Sequence, residues 1–112
     1  MRFMRETESN CIGFAFHKLG LEKVDKLIWP LYFGDLLKHF AITDEGDEDA
    51  IGVVENSNHS VLHLTVINQI NRDLVEQRTA TGGPAMRMSR KDAIGYYKDK
   101  GNLILNLKLR KK

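Results

Sequence analysis

The hydrophobic period of the chain first changes at an acidic run. Before Thr43, apolar residues recur at helical spacing. They are Ile12, Ala15, Phe16 and Leu19, then Leu21, Val24, Leu27 and Ile28, then Leu36, Leu37 and Phe40. After Asp49 the pattern is that of strands, over residues 50–55, 60–67 and 73–78, joined by short polar turns. A chain patterned this way must lay helices against a sheet built mainly from its second half, which is an α+β domain. Its 112 residues suffice for one domain, 1–112, with one modest core. Consecutive strands with short links pair as an antiparallel meander by default.

Local signals set the expected elements. Ser9 or Asn10 can cap a first helix over about residues 10–19, and Gly20 can close it. Pro30 ends or kinks the helically spaced stretch 21–30. Residues 31–40 read as a second short amphipathic helix, and Asn56 to His59 as a turn. Thr79 to Pro84 form a loop before a short extended piece at Ala85–Met88. Ser89 caps a late helix over Arg90–Lys98, with Asp92 as its acidic partner. Residues 102–109 close the domain as a strand with Leu103, Leu105, Leu107 and Leu109 on one face, a long edge open to a second copy. The oligomeric state is not written in the sequence.

Charge excludes little but favours no polyanion. The net charge is +2, and the basic residues are dispersed apart from the tail Lys108 to Lys112, so nucleic acid is not an expected partner. No apolar run is long enough for a membrane span. The first residues lack the apolar stretch of a signal peptide, so a cytoplasmic location is expected, with action outside the cell after release left open. The run Thr43 to Asp49 holds five carboxylates in seven positions, but its spacing is not that of a calcium loop, and it reads as a solvated turn. One cysteine and scattered histidines give no zinc spacing, so neither metal nor cofactor is expected.

That single cysteine, Cys11, stands where the first helix begins. A thiol in a first turn faces unpaired N–H groups and the positive end of the helix dipole, and both favour thiolate. A thiol nucleophile needs a base, and the base needs an orienting group. His17 is rotated away from Cys11 on the same helix, His39 suits a helix C-terminus, and His59 sits in a turn. His63 is different, because it interrupts an apolar strand. Alternation puts Leu62 and Leu64 on one face, and Val61, His63, Thr65 and Ile67 on the other. Such an imidazole is either a core histidine with a satisfied partner or a base. On the next strand Glu76 or Gln77 could reach it, but neighbours on a strand face opposite ways, so only one can.

This order of elements resembles the NlpC-type cell-wall cysteine peptidases, a branch of the papain-like superfamily related to the CHAP amidases. Asn10-Cys11-Ile12-Gly13-Phe14-Ala15 stands for the family's D-C-S-G-F-V helix start. Glu48 to Val54 is similar to its G-D-L-V-F strand, and His63-Leu64-Thr65-Val66-Ile67 to its H-V-G-I-Y strand. Leu74-Val75-Glu76-Gln77 resembles F-I-H-A, and Thr81-Gly82-Gly83 its Thr-Gly loop. The departures are Asn10 for aspartate, helical material over 21–43, and Glu or Gln for histidine at the third position.

The resemblance implies a papain-like fold with the cysteine helix packed on a meander. It also implies Cys11 as nucleophile, His63 as base and Glu76 as orienting residue, with Gln77 the alternative. The implied activity is hydrolysis of an amide bond, in a peptidoglycan stem peptide or another small peptide or amide, through a thioester. Acyl transfer by the same residues and a non-catalytic binding or regulatory module are the other readings of the same fold.

Overall fold

A computed structural model describes residues 9–55, 59–78 and 84–110. The turn expected at Asn56-Ser57-Asn58 and the Thr81-Gly82-Gly83 loop lie outside these residues. Helix α1 spans Cys11–Lys18, strand β1 Leu31–Tyr32, helix α2 Phe33–His39 and strand β2 Phe40–Ile42. Then come β3 Ala50–Glu55, β4 Ser60–Ile67, β5 Leu74–Arg78, β6 Ala85–Ser89, α3 Arg90–Lys98 and β7 Leu103–Leu109. The described strands form one antiparallel sheet in the order β2-β7-β3-β4-β5-β6, with β1 alongside the start of β4. The domain is α+β.

The sheet carries a core on each face. On one face Ile12, Ala15 and Phe16 of α1 pack with Leu36, Phe40, Val61, Leu64, Val66 and Leu107. On the other, Ala93 and Ile94 of α3 pack with Ile51, Ile67, Val75 and Ile104. Helix α1 starts at Asn10, whose side-chain oxygen accepts from the Gly13 N–H at 2.8 Å. It ends in paired bonds from Gly20 to His17 and from Leu21 to Phe16, closed by Gly20 at φ 81°. Helix α3 is capped by Ser89, whose hydroxyl accepts from the Asp92 N–H at 3.2 Å.

Four expectations change. The stretch 21–30 is not a helix, despite its spacing. Its backbone is engaged elsewhere: Asn10 Nδ2 donates to the Ile28 carbonyl at 2.6 Å, and the Ile28 N–H donates back to Asn10 Oδ1 at 3.3 Å. Strand β7 is not an edge, because it inserts between β2 and β3. The second helix, expected over 31–40, is shortened to Phe33–His39: Leu31–Tyr32 form β1, and Phe40 starts the short strand β2 that covers β7. On β4, Val61 does not share a face with His63. The register runs Val53 opposite His63 and then Val54 opposite Val61, so Leu62 is a bulge that turns Val61 into the α1 core.

The acidic run is also not a solvated turn. Glu48 is fully buried, and its carboxylate accepts from the Gly46 N–H at 3.0 Å and from Arg90 Nη1 at 3.2 Å. Arg72 donates to its carbonyl and approaches its carboxylate at 3.4 Å. With its amide nitrogen turned to Glu48, Asn106 adds a bond of 3.1 Å from β7. The neighbouring Asp49 accepts from the Leu109 N–H at 2.8 Å. A buried carboxylate thus ties the start of β3 to β7, to the β4–β5 turn and to α3.

Glu48→Ala is expected to lower the unfolding free energy by about 3 kcal/mol, because it strands two guanidinium groups that remain only partly open to water. Urea unfolding should show a lower midpoint at an unchanged slope. An unmoved midpoint would remove Glu48 from the role of anchor.

Candidate functional site

The site forms where the edge of β4 is left open. On that edge β4 pairs with β1 through Ser60 and Val61, and with β5 through Val66 and Ile67. Between them, residues 62–65 have no strand alongside among the described residues. The N-terminus of α1 enters this gap. The Cys11 thiol donates to the Leu62 carbonyl at 3.6 Å and accepts from the Leu64 N–H, so the sulfur meets the two residues that flank His63. Helix α1 reaches so far because Gly13 has no side chain: a Cβ there would lie 1.6 Å from the Lys26 carbonyl oxygen. Asn10 supplies the other constraint. Its amide both accepts from and donates to Ile28, and an aspartate would set a carboxylate against the Ile28 carbonyl.

His63 is buried on the α3 face, and its Nε2 lies 2.6 Å from Gln77 Oε1. An amide oxygen only accepts, so Nε2 carries the proton and Nδ1 keeps a lone pair. The amide cannot turn over freely, since Gln77 Nε2 donates to Met88 Sδ at 2.8 Å. The Tyr97 ring stacks on the imidazole with centroids 5.0 Å apart. The thiol thus meets the backbone on either side of His63, while the ring itself is held by Gln77 and packed against Tyr97.

The resemblance put Glu76 in the orienting role, and the geometry puts Gln77 there. Val75 faces the α3 core, so Gln77 shares its face and Glu76 points the other way, towards α1. There its carboxylate meets Arg87 at 3.1 Å and Lys18 at 3.4 Å. Burial draws the Glu76 carboxyl up, but these two cations outweigh it and hold it below its ordinary value. The other histidines stand apart from the thiol's hydrogen bonds. His17 Nδ1 lies 3.1 Å from the Glu22 carbonyl, His39 packs edge-on against Phe16, and His59 sits in a turn at φ 56°.

Burial decides the charge state of the site. It pushes the Cys11 thiol above its ordinary value, against N–H groups of Leu64, Ile12 and Cys11 itself that pull the other way. The first-turn position therefore does not yield a resting thiolate, because desolvation outweighs the helix-start amides. Burial likewise holds His63 below its ordinary value, partly offset by the bond to Gln77. The Tyr97 hydroxyl is pushed up to about 12 by burial and by its closeness to Cys11 and Tyr96. At neutral pH the site holds a thiol, a neutral imidazole and a neutral phenol.

Tyr97 and Met88 were not singled out from the sequence. The available signal for Tyr97 was its helical spacing from Ala93, the buried position of that short helix. Among the described residues no cluster of three or more His, Cys, Asp or Glu is placed to hold a metal ion. No described helix is long and apolar enough to cross a membrane. No protein-family model matches the chain, and no curated protein or solved structure matches it either.

NMR titration of the His63 ring should give a pKa below the ordinary value of about 6.5. Gln77→Leu should lower it further, since the bond it removes favours the charged ring, whereas Glu76→Gln should leave it in place. An effect of Glu76→Gln equal to that of Gln77→Leu would reverse the assignment. Because the folded ring binds its proton less readily than the unfolded one, unfolding takes up a proton in acid. The His63 contribution to stability should be complete above about pH 6.5 and be lost as the pH falls through the folded pKa, which denaturant midpoints across that range would record.

Proposed function

We propose that the protein is a thiol hydrolase of amide bonds, on a fold of the NlpC-type papain-like kind. The observation that carries this reading is the Cys11 sulfur hydrogen-bonded to both neighbours of His63, a histidine whose Nε2–H is committed to Gln77. Support for the fold comes from a helix-start cysteine packed on an antiparallel meander, in the chain order of cysteine, then histidine, then polar residue.

In this mechanism Cys11 turns from the Leu62 carbonyl to the substrate. The thiol proton passes to His63 Nδ1 as the sulfur–carbon bond forms, and the carbonyl electron pair moves onto oxygen. Backbone N–H groups at the start of α1 receive that oxyanion. Collapse breaks the carbon–nitrogen bond, and Nδ1–H protonates the leaving amine. Water then attacks the thioester, giving its proton to Nδ1, and the acid leaves as the thiol re-forms. A neutral resting pair suits this sequence, since His63 must be unprotonated to begin. An amine in place of water would make the same steps an acyl transfer.

The half-buried thiol, whose pKa burial pushes up, favours a second reading, in which Cys11 is structural and the domain binds without catalysis. Alkylation by iodoacetamide against pH separates the two. With His63 as base, Cys11 should react well below the ordinary thiol pKa of about 8.5. His63→Ala should slow the reaction at pH 7 by about a hundredfold or more, leaving only the rise due to thiolate. A thiol that is inert, or that reacts equally in His63→Ala, would sink the hydrolase reading.

A further inference from the structure

The described surface carries several cavities, and they differ in chemistry. One beside the N-terminus of α3 is lined by Glu45, Asp73, Arg90 and Lys91, with Arg90 already committed to Glu48. Another, on the α1 side of β5, is lined by Lys18, Glu76 and Arg87, with both cations paired to the Glu76 carboxylate. A third, of about 260 Å³, is bounded by Gln77, Met86, Met88, Ala93, Tyr96 and Tyr97. It lies next to His63, because Gln77 holds the imidazole and Tyr97 stacks on it.

We infer that this third cavity is the subsite for an apolar group, an aromatic or similar side chain, flanking the scissile amide. The inference rests on the hydrolase reading and names the substrate class for it. Its walls are two thioethers, a methyl group and two phenol rings, and no charged residue lines it. The one strongly polar wall, the Gln77 amide, has its oxygen on His63 and its nitrogen on Met88. A charged group placed there would lose its water and find no opposite charge among the lining residues. An apolar group displaces water at no such cost, and methionines adapt to its outline. Gln77 and Ala93 are buried and form the floor, while Met86 and Tyr96 are exposed and form the mouth. The volume falls below the range of about 300–1,000 Å³ usual for whole small-molecule ligands, which suits one side chain. Tyr97 belongs both to the cavity wall and to the packing on the imidazole, so a group seated there stands next to the His63 ring.

The test compares two alkylating probes on the full chain, iodoacetamide and 2-iodo-N-benzylacetamide, by the rate of Cys11 modification in mass spectrometry. Glutathione gives the ratio of the two rates for a thiol without a cavity. The protein should favour the benzyl probe over that reference by about ten- to a hundredfold. Ala93→Leu, which fills the floor, should return the ratio to the reference. Met86→Glu, which puts a carboxylate at the exposed mouth, should do the same and disturbs folding less. Rapid, His63-dependent reaction with iodoacetamide but a reference ratio for the benzyl probe would overturn the subsite and leave the hydrolase reading standing. A benzyl preference that survives both substitutions would also overturn it, by placing the ring elsewhere. A thiol inert to both probes would overturn both readings together.

Discussion

The gap between β1 and β5 leaves a carbonyl and an N–H on one edge of β4 without a strand beside them, and the Cys11 thiol meets them beside the Leu62 bulge. Much else follows from that contact. The bulge turns Val61 into the α1 core and keeps His63 on the α3 face. The helix start can enter the gap only because Gly13 admits the Lys26 carbonyl and Asn10 ties down Ile28. The 21–30 stretch therefore works as a strap across the start of α1. Its apolar residues at helical spacing are not one buried stripe: Leu21 and Ile28 pack on the core, while Val24 and Leu27 are exposed.

A second anchor holds the sheet that carries the histidine. Glu48 sits where β3 begins, and its partners come from the β4–β5 turn, from α3 and from β7. These same elements fix the distance between His63 on β4, Gln77 on β5 and Tyr97 on α3. A buried carboxylate bound by two guanidinium groups and an N–H is rigid, since releasing any partner leaves a charge without water. The acidic run thus acts on the site at a distance, through the placement of strands.

The sequence reading recovered the large elements because their signals are local. Strand β7 follows from period-two alternation, β3, β4 and β5 from short β-prone runs between polar turns, α1 from its cap and Gly20, and α3 from Ser89. What it missed depends on contacts between distant residues. Helical spacing at 21–30 was overruled by hydrogen bonds to Asn10, which no local pattern encodes. A solvated look at Glu48 was overruled by arginines 24 and 42 positions away. The choice between Glu76 and Gln77 was nearly legible. His63 and Ile67 share a face, Ile67 pairs with Val75, and Val75 shares its face with Gln77. Only the register between β4 and β5 was lacking, and the resemblance to a family with another residue at that position could not supply it.

An amide rather than a carboxylate beside His63 changes what the third residue does. A carboxylate would hold the ring and also stabilise the imidazolium, raising its pKa. Gln77 holds the ring and the tautomer but adds no charge, and burial then keeps His63 below its ordinary value. The sulfur is half-buried, and its pKa moves the opposite way. The two shifts together favour the uncharged pair over thiolate and imidazolium. In the proposed hydrolase, charge separation would then be deferred until an oxyanion forms beside the α1 amides. The same desolvation that silences the thiol at rest makes those amides more effective when charge develops beside them, because few water molecules screen them. A site of this kind would depend on its substrate to complete the dry surroundings, and the apolar cavity against Tyr97 is where the structure offers room for it to do so.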